Sequence, residues 1–264
     1  AMVVSGTCSS DNSKEVTVTI DPTSEGGTLS ADINVCLGTN SGTLTLSGNV
    51  GTITRWESSD DNWLTTNNIV NTTTSQAYNN LTSTTEYRVI VTSGTCSSDT
   101  SNKVTVTMDA VSIGGTLSAN DTVCSGINNG TLVLTGNVGA VTRWESSIDN
   151  WVSVTNITNN TTSLNYNNIS STTKYRVIIT SGTCSADTSS EVTITVDPTS
   201  VGGLLNSSNL VCWDSNTGVL NLTGNVGDII RWESSTDNWL TTSPISNITN
   251  TQQYTNLQIQ TKYR

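Results

Sequence analysis

Every 88 residues this chain repeats itself without a gap, and that period rules out one large core shared by distant, unrelated segments. Gly26-Gly27 returns as Gly114-Gly115 and Gly202-Gly203, and Arg55-Trp56-Glu57-Ser58-Ser59 returns at residues 143–147 and 231–235. Trp63 returns as Trp151 and Trp239, and Tyr87-Arg88 as Tyr175-Arg176 and Tyr263-Arg264. One cysteine series is Cys36, Cys124 and Cys212; the other is Cys8, Cys96 and Cys184. Such a period is that of a small domain, so several domains of one kind are expected, each with copies as neighbours.

The chain is cut out of phase with its period, because Val3 aligns with Val91 and Arg264 with Arg88. Asp21-Pro22, Asp109-Ala110 and Asp197-Pro198 follow runs of alternating Val, Thr and Ile and are the expected linkers. Two complete domains are therefore expected at 23–110 and 111–198. Residues 1–22 would be the last hairpin of a preceding repeat, with Ala1-Met2 read as a cloning scar, and 199–264 a repeat lacking its final strands.

Thr, Ser, Asn, Val and Gly dominate, Phe is absent and only three Pro occur, a bias towards strand formers and turn residues. Strand signals fall at 28–30, 43–47, 53–58, 76–81, 86–92 and 103–108, separated by Gly and Asn. Short alternating strands over such a length indicate an all-β chain of tandem immunoglobulin-like β-sandwich domains forming an elongated rod or filament, with a repeating barrel as the weaker alternative.

The net charge of −11 without a basic cluster would repel nucleic acid. No apolar run approaches the roughly 20 residues that cross a bilayer, so this segment is not expected to insert into membranes. With no His and no CxxC pair, a zinc site, a thioredoxin-type site and a Ser-His dyad all lack their residues, and no cofactor or enzymatic activity is expected. Glu57 and Asp61, recurring as Glu145 and Asp149, form a conceivable carboxylate pair, for which a solvated surface is the better reading.

In Arg55-Trp56-Glu57 the two-residue period puts Trp56, Trp144 and Trp232 inside and the charges outside. Tyr87, Tyr175 and Tyr263 alternate with charges in the same way and are expected core residues. Glu57 would then pair with Arg88, Glu145 with Arg176 and Glu233 with Arg264 as exposed ion pairs. The cysteines allow two arrangements. Cys36 with Cys96 and Cys124 with Cys184 would bridge within repeats, leaving Cys8 and Cys212 to join separate molecules; pairing across boundaries would join Cys8–Cys36, Cys96–Cys124 and Cys184–Cys212. The first is favoured, because the last hairpin of a sandwich points away from its exit end. Disulfides imply an oxidising compartment. Trp63, Trp151 and Trp239 follow Asp-Asn pairs in loops and are candidate contacts for sugar rings, against burial at the sandwich edge. Asp61, Asp149 and Asp237 in those loops, or Asp21, Asp109 and Asp197 at the linkers, are the recurring candidates for calcium; they fall short of a binding pattern, and no metal is expected. Asn-x-Ser/Thr triplets, as at Asn71, Asn156 and Asn247, are too abundant here to establish glycosylation.

The landmarks 26–30, Val35-Cys36, 42–46, 55–59, Tyr87-Arg88-Val89 and Ser93-Gly94-Thr95-Cys96 resemble the repeats of giant Bacteroidetes cell-surface proteins, and among them the flavobacterial gliding-motility adhesin. The resemblance implies type IX secretion, extracellular display as a long filament and no catalytic residues. The expected partners are extracellular surfaces or polysaccharide and neighbouring repeats, and, from the leftover Cys8 and Cys212, further copies by head-to-tail association. The function so implied is a structural or adhesive repeat that contacts surfaces by many weak bonds. The alternative is a carbohydrate-binding repeat of a secreted polysaccharide-active protein.

Overall fold

The computed structural model describes residues 1–206, 208–213 and 215–264. A short hairpin, β1 (Met2–Val3) with β2 (Asp11–Asn12), precedes the first complete repeat. That repeat comprises β3 (Thr28–Leu29), β4 (Ile33–Cys36), β5 (Ser41–Ser47), β6 (Thr52–Ser59), β7 (Asn67–Ile69), β8 (Ser75–Asn79), β9 (Thr85–Thr92), β10 (Asp99–Thr100) and β11 (Val104–Asp109). Its strands form two sheets: β3-β5-β8, and β4-β11-β9-β6-β7 with β10 also on β9. Two separate sheets make a sandwich rather than a barrel.

Alternation decides which side chains enter the core. In β5 Leu44 and Leu46 are buried while their neighbours are exposed, and in β11 Val104 and Val106 are buried. They form one core cluster with Leu29, Trp56, Tyr78, Tyr87 and Val89. Trp56 is fully buried in β6, and its indole N–H donates to the Thr73 carbonyl at 2.9 Å, so the ring is inserted without an unmet donor. Between Ile53 and Arg55 the β6–β9 register slips by a bulge.

Three strands lie outside the expected ones. β4 pairs in parallel with β11, so its partner is about 70 residues away and no local hairpin signal announces it. β7 is Asn-Asn-Ile, and β10 is two residues long; neither carries alternation.

The second repeat follows the same plan: β12 (Thr116–Leu117), β13 (Asp121–Cys124), β14 (Asn129–Thr135), β15 (Ala140–Ser147), β16 (Thr155–Ile157), β17 (Ser163–Asn167), β18 (Thr173–Thr180), β19 (Asp187–Thr188) and β20 (Val192–Asp197). The third comprises β21 (Leu204–Leu205), β22 (Thr217–Thr223), β23 (Trp232–Ser235), β24 (Ser243–Ile245), β25 (Thr251–Thr255) and β26 (Lys262–Tyr263). Residues 209–212, which stand where β4 and β13 stand, form no strand. Core leucines Leu220 and Leu222 are only half-buried, whereas Leu44 and Leu46 are buried.

Compactness divides the chain differently from the repeat. One unit is Ala1–Gly114 with Asn137–Ala140 and Ile179–Asp187; the other is Gly115–Gly136, Val141–Ile178 and Thr188–Arg264. The first unit thus takes in the turn that follows β18.

Candidate functional site

The outer face of β6 carries Arg55 and Glu57, and the register sets Arg88 of β9 opposite Glu57. Glu57 accepts from Arg55 Nε at 2.8 Å and from Arg88 Nε at 2.7 Å. The Arg88 guanidinium in turn lies 4.1 Å from the centre of the Trp63 ring. The same stack joins Arg176 to Trp151 at 4.1 Å and Arg264 to Trp239 at 4.3 Å.

The loop that presents Trp63 is built by two side chains. The Ser59 hydroxyl donates to Asp61 Oδ1 at 2.8 Å and accepts the Trp63 N–H at 2.9 Å, while the Asp61 carboxylate accepts the Thr65 N–H and hydroxyl. This places Asn62 and Trp63 in left-handed backbone, at φ 57° and 65°. Trp151 and Trp239 share that conformation. Such a φ is unfavourable for a tryptophan, so the loop and the stack together hold it there.

This geometry corrects the expectation of exposed ion pairs. Glu57 is 3% exposed, lying between two guanidinium groups, and Glu145 is likewise 3% exposed. Burial works to raise the Glu57 pKa, but hydrogen bonds from Arg88 and Arg55 outweigh it and hold the carboxyl below its usual range. Hydrogen bonds from Thr65 and Ser59 lower Asp61 as well. Neither carboxyl of the conceivable pair can therefore be kept protonated at neutral pH to act as a general acid.

Trp63, Trp151 and Trp239 are half-buried. A guanidinium occupies one face of each ring, and Trp151 Nε1 donates to Glu191 at 2.7 Å. They hold the loop over the ion pair. Trp144 and Trp232 are buried like Trp56, with indole N–H groups donating to Thr161 and Thr249 carbonyls; Tyr87 and Tyr175 are buried, and Tyr263 is half-buried.

The cysteines bring about the least expected contact. Cys36, at the end of β4, is bonded to Cys184 of the second repeat across 148 residues. Neither expected arrangement contains that pair. Cys8, Cys96, Cys124 and Cys212 are free. The expectation of Cys36–Cys96 and Cys124–Cys184 fails because the hairpin turn of one repeat lies beside β4 of the repeat before it, not beside its own. Asp109 supplies the seat: its carbonyl accepts the Leu37 N–H at 2.9 Å, and its carboxylate accepts the Thr183 N–H at 2.8 Å and hydroxyl at 3.0 Å. Ser112 Oγ accepts the Ser181 N–H at 2.9 Å. Asp21 and Ser24 hold the Ser93–Cys96 turn in the same manner, through Thr95 and Ser93. Gly94 and Gly182 have positive φ at these turns, and a Cβ on either would strike the Asp carboxylate.

Two of the linker carboxylates considered for calcium are thus engaged by turn N–H groups. Among the described residues no group of three or more His, Cys, Asp or Glu could hold a metal. The Asn71 and Asn247 amides donate to the carbonyls of Ser75 and Thr251. Sequence reasoning missed Asn40, Asn128 and Asn216. Each is buried, and its amide both accepts from and donates to the backbone after β8, β17 or β25, as in Asn40 with Leu81. Their 88-residue recurrence is the signal that could have found them.

Comparison with known structures agrees with this architecture. The titin I-band fragment I67-I69 matches with a TM-score of 0.55 at 10% identity, over 91% of this chain and 90% of that one. A marsupial T cell receptor matches at 0.48 and 9% identity, over 78% of this chain and 83% of that one. The titin likeness shows the immunoglobulin-type tandem fold alone. No curated protein matches significantly. A family described as "Domain of unknown function (DUF8696)" matches three times, at residues 25–110, 113–198 and 201–264. With most of its length so covered, the chain belongs to that family as a tandem array of three of its domains.

Proposed function

We propose that this chain is a structural and adhesive segment of a secreted cell-surface filament, of the kind that serves gliding motility, and that it contacts extracellular surfaces by many weak bonds summed along its repeats. The observation that carries the reading is the Cys36–Cys184 bond, which ties one repeat to the next. A link between repeats contributes nothing to a binding pocket in either one. It does resist separation and proteolysis, and it fits an oxidising, extracellular compartment. Tandem immunoglobulin-like repeats are in any case a structural repeat region, and their fold is typical of domains without catalysis. Against the carbohydrate-binding alternative stand the Trp63, Trp151 and Trp239 rings, each with one face already taken by arginine.

Adhesion of beads coated with the chain tests this. Under the filament reading, retention on glass and polysaccharide films rises more steeply than linearly with coating density, because avidity multiplies weak contacts. Saturable binding of a soluble oligosaccharide by the single chain, abolished when Trp63→Ala, Trp151→Ala and Trp239→Ala are combined, would instead establish the carbohydrate-binding reading.

A further inference from the structure

The two sheets of each repeat differ in where they carry charge. Of the 10 Lys and Arg, all but Lys14 lie on, or next to an end of, β6, β9, β11 and their counterparts. Glu57, Glu86, Glu145, Glu191 and Glu233 pair with them from the same strands or from the residue just before. The opposite sheet, β3-β5-β8, carries no charge on its outer face. The alternation that buries Leu44 and Leu46 turns Ser41, Thr43, Thr45 and Ser47 outward, and the neighbouring β8 adds Ser75 and Asn79. The exposed positions of β14, β17, β22 and β25 hold only Asn, Thr, Ser, Gln and Val. Thr45, Val133 and Asn221 share one place in the period, so neutrality is kept where the side chain is not.

This face is a lattice of hydroxyls and amides, groups that both donate and accept. Its rows are about 4.8 Å apart across strands, and alternate residues are about 6.8 Å apart along them. One row is fixed alike in every repeat: the hydroxyls of Ser47, Thr135 and Thr223 donate to the carbonyls of Thr28, Thr116 and Leu204 at 3.4, 3.3 and 3.3 Å. Their oxygens are thereby left to accept from outside. Charge then decides the partner. A chain of net charge −11 repels polyanions. A polycation would need carboxylates, and those of the opposite sheet already hold arginine or lysine. An apolar surface would meet only isolated side chains such as Val133, Val219 and Leu204. A neutral polysaccharide carries donors and acceptors on every sugar, and laying it on an uncharged face strips no ion of its water. As a repeating polymer it also offers the same groups to each of three like faces.

We propose that the outer face of the three-stranded sheet β3-β5-β8, with its counterparts β12-β14-β17 and β21-β22-β25, is the adhesive surface, and that its ligand is neutral polysaccharide held by hydrogen bonds without ring stacking. The inference rests on the adhesive reading above and assigns it a place and a chemistry. Beads coated with the chain test it on films of dextran, agarose and cellulose, which are neutral, of alginate, which is acidic, and of polystyrene, which is apolar. Retention is expected on a neutral film and should not change with ionic strength. The triple variant Thr45→Glu/Val133→Glu/Asn221→Glu puts one carboxylate in the middle of each face and should lower that retention at least ten-fold, because the loss is multiplied over the contacts. Gln at the same three positions should keep it, which separates charge on the face from damage to the fold. Leu64→Glu/Val152→Glu/Leu240→Glu adds equal charge at loop residues that are 87%, 88% and 85% exposed, and should also keep it. Neutral-film retention that the sheet triple leaves intact, or that both acidic triples lower equally, would overturn the proposal while the adhesive reading stands. So would retention confined to alginate or polystyrene. Retention on no film would overturn the adhesive reading itself.

Discussion

At the residue scale the tryptophan of each loop is held in backbone that disfavours it, in return for a guanidinium on its face. Stacking of this type contributes about 0.5–2 kcal/mol, and the left-handed conformation costs roughly 1–2 kcal/mol for a residue with a Cβ. Trp63→Ala loses the stack and retains the backbone cost, whereas Trp63→Gly loses the stack but sheds that cost. Glycine should therefore be the less destabilising substitution, by about 1 kcal/mol in denaturant melts; equal losses would mean that the loop is not strained. The carboxyls of this surface also set a pH dependence. Asp149 is lowered to about 2 by hydrogen bonds from Ser153 and Ser147, and Glu57 and Glu145 lie below their usual value through their arginines. Groups lowered in the folded state add stability that is complete above their unfolded values and is lost as pH falls through the folded ones. Thermal melts should thus be flat between about pH 7 and 5 and fall from about pH 4 towards 2. Asp149→Asn should flatten the lower part of that decline.

At the element scale two neighbouring strands exchange charges between repeats. Glu86 of β9 pairs with Lys103 at 2.7 Å, just before β11; in the second repeat Lys174 of β18 pairs with Glu191. The exchange leaves a mark, since Trp63 Nε1 and Glu86 Oε2 are buried without a partner whereas Trp151 Nε1 has Glu191. Glu86→Lys alone should cost about 0.5 kcal/mol by cross-strand repulsion. Glu86→Lys/Lys103→Glu should recover that loss and exceed the parent in stability, because Glu at position 103 can accept from Trp63. A double variant no better than Glu86→Lys would show that the pair is not coupled. Six of the strands were legible from alternation, because Leu44, Leu46, Trp56, Val104 and Val106 sit at two-residue spacing and their faces are set by burial. Strands β4, β7 and β10 were not, since their places are fixed by partners rather than by their own pattern. The Trp63 loop was legible as a loop; its stack was not, because no local rule tells that Arg88, a strand residue, lies over it.

At the scale of the whole molecule the period foretold the tandem sandwich but misled about the cysteines. A last hairpin expected to point away from the exit end favoured a bond within the repeat, yet the sequence alone cannot tell which of two identical turns lies beside β4. The choice was made by Asp109, at the end of the first repeat, and Ser112, at the start of the second, which together receive the 181–184 turn. One covalent consequence concerns tension. Drawn out between Ala1 and Arg264, the oxidised chain has a shortcut at Cys36–Cys184, and the 147 residues between those cysteines are bypassed whether folded or not. At about 3.5 Å per residue the fully extended oxidised chain should be shorter than the reduced one by roughly 500 Å, a difference that single-molecule stretching resolves. Equal lengths would mean that the bond does not form. A sandwich inside the shortcut can lose its fold under load without lengthening the tether, so it refolds from ends that never moved apart.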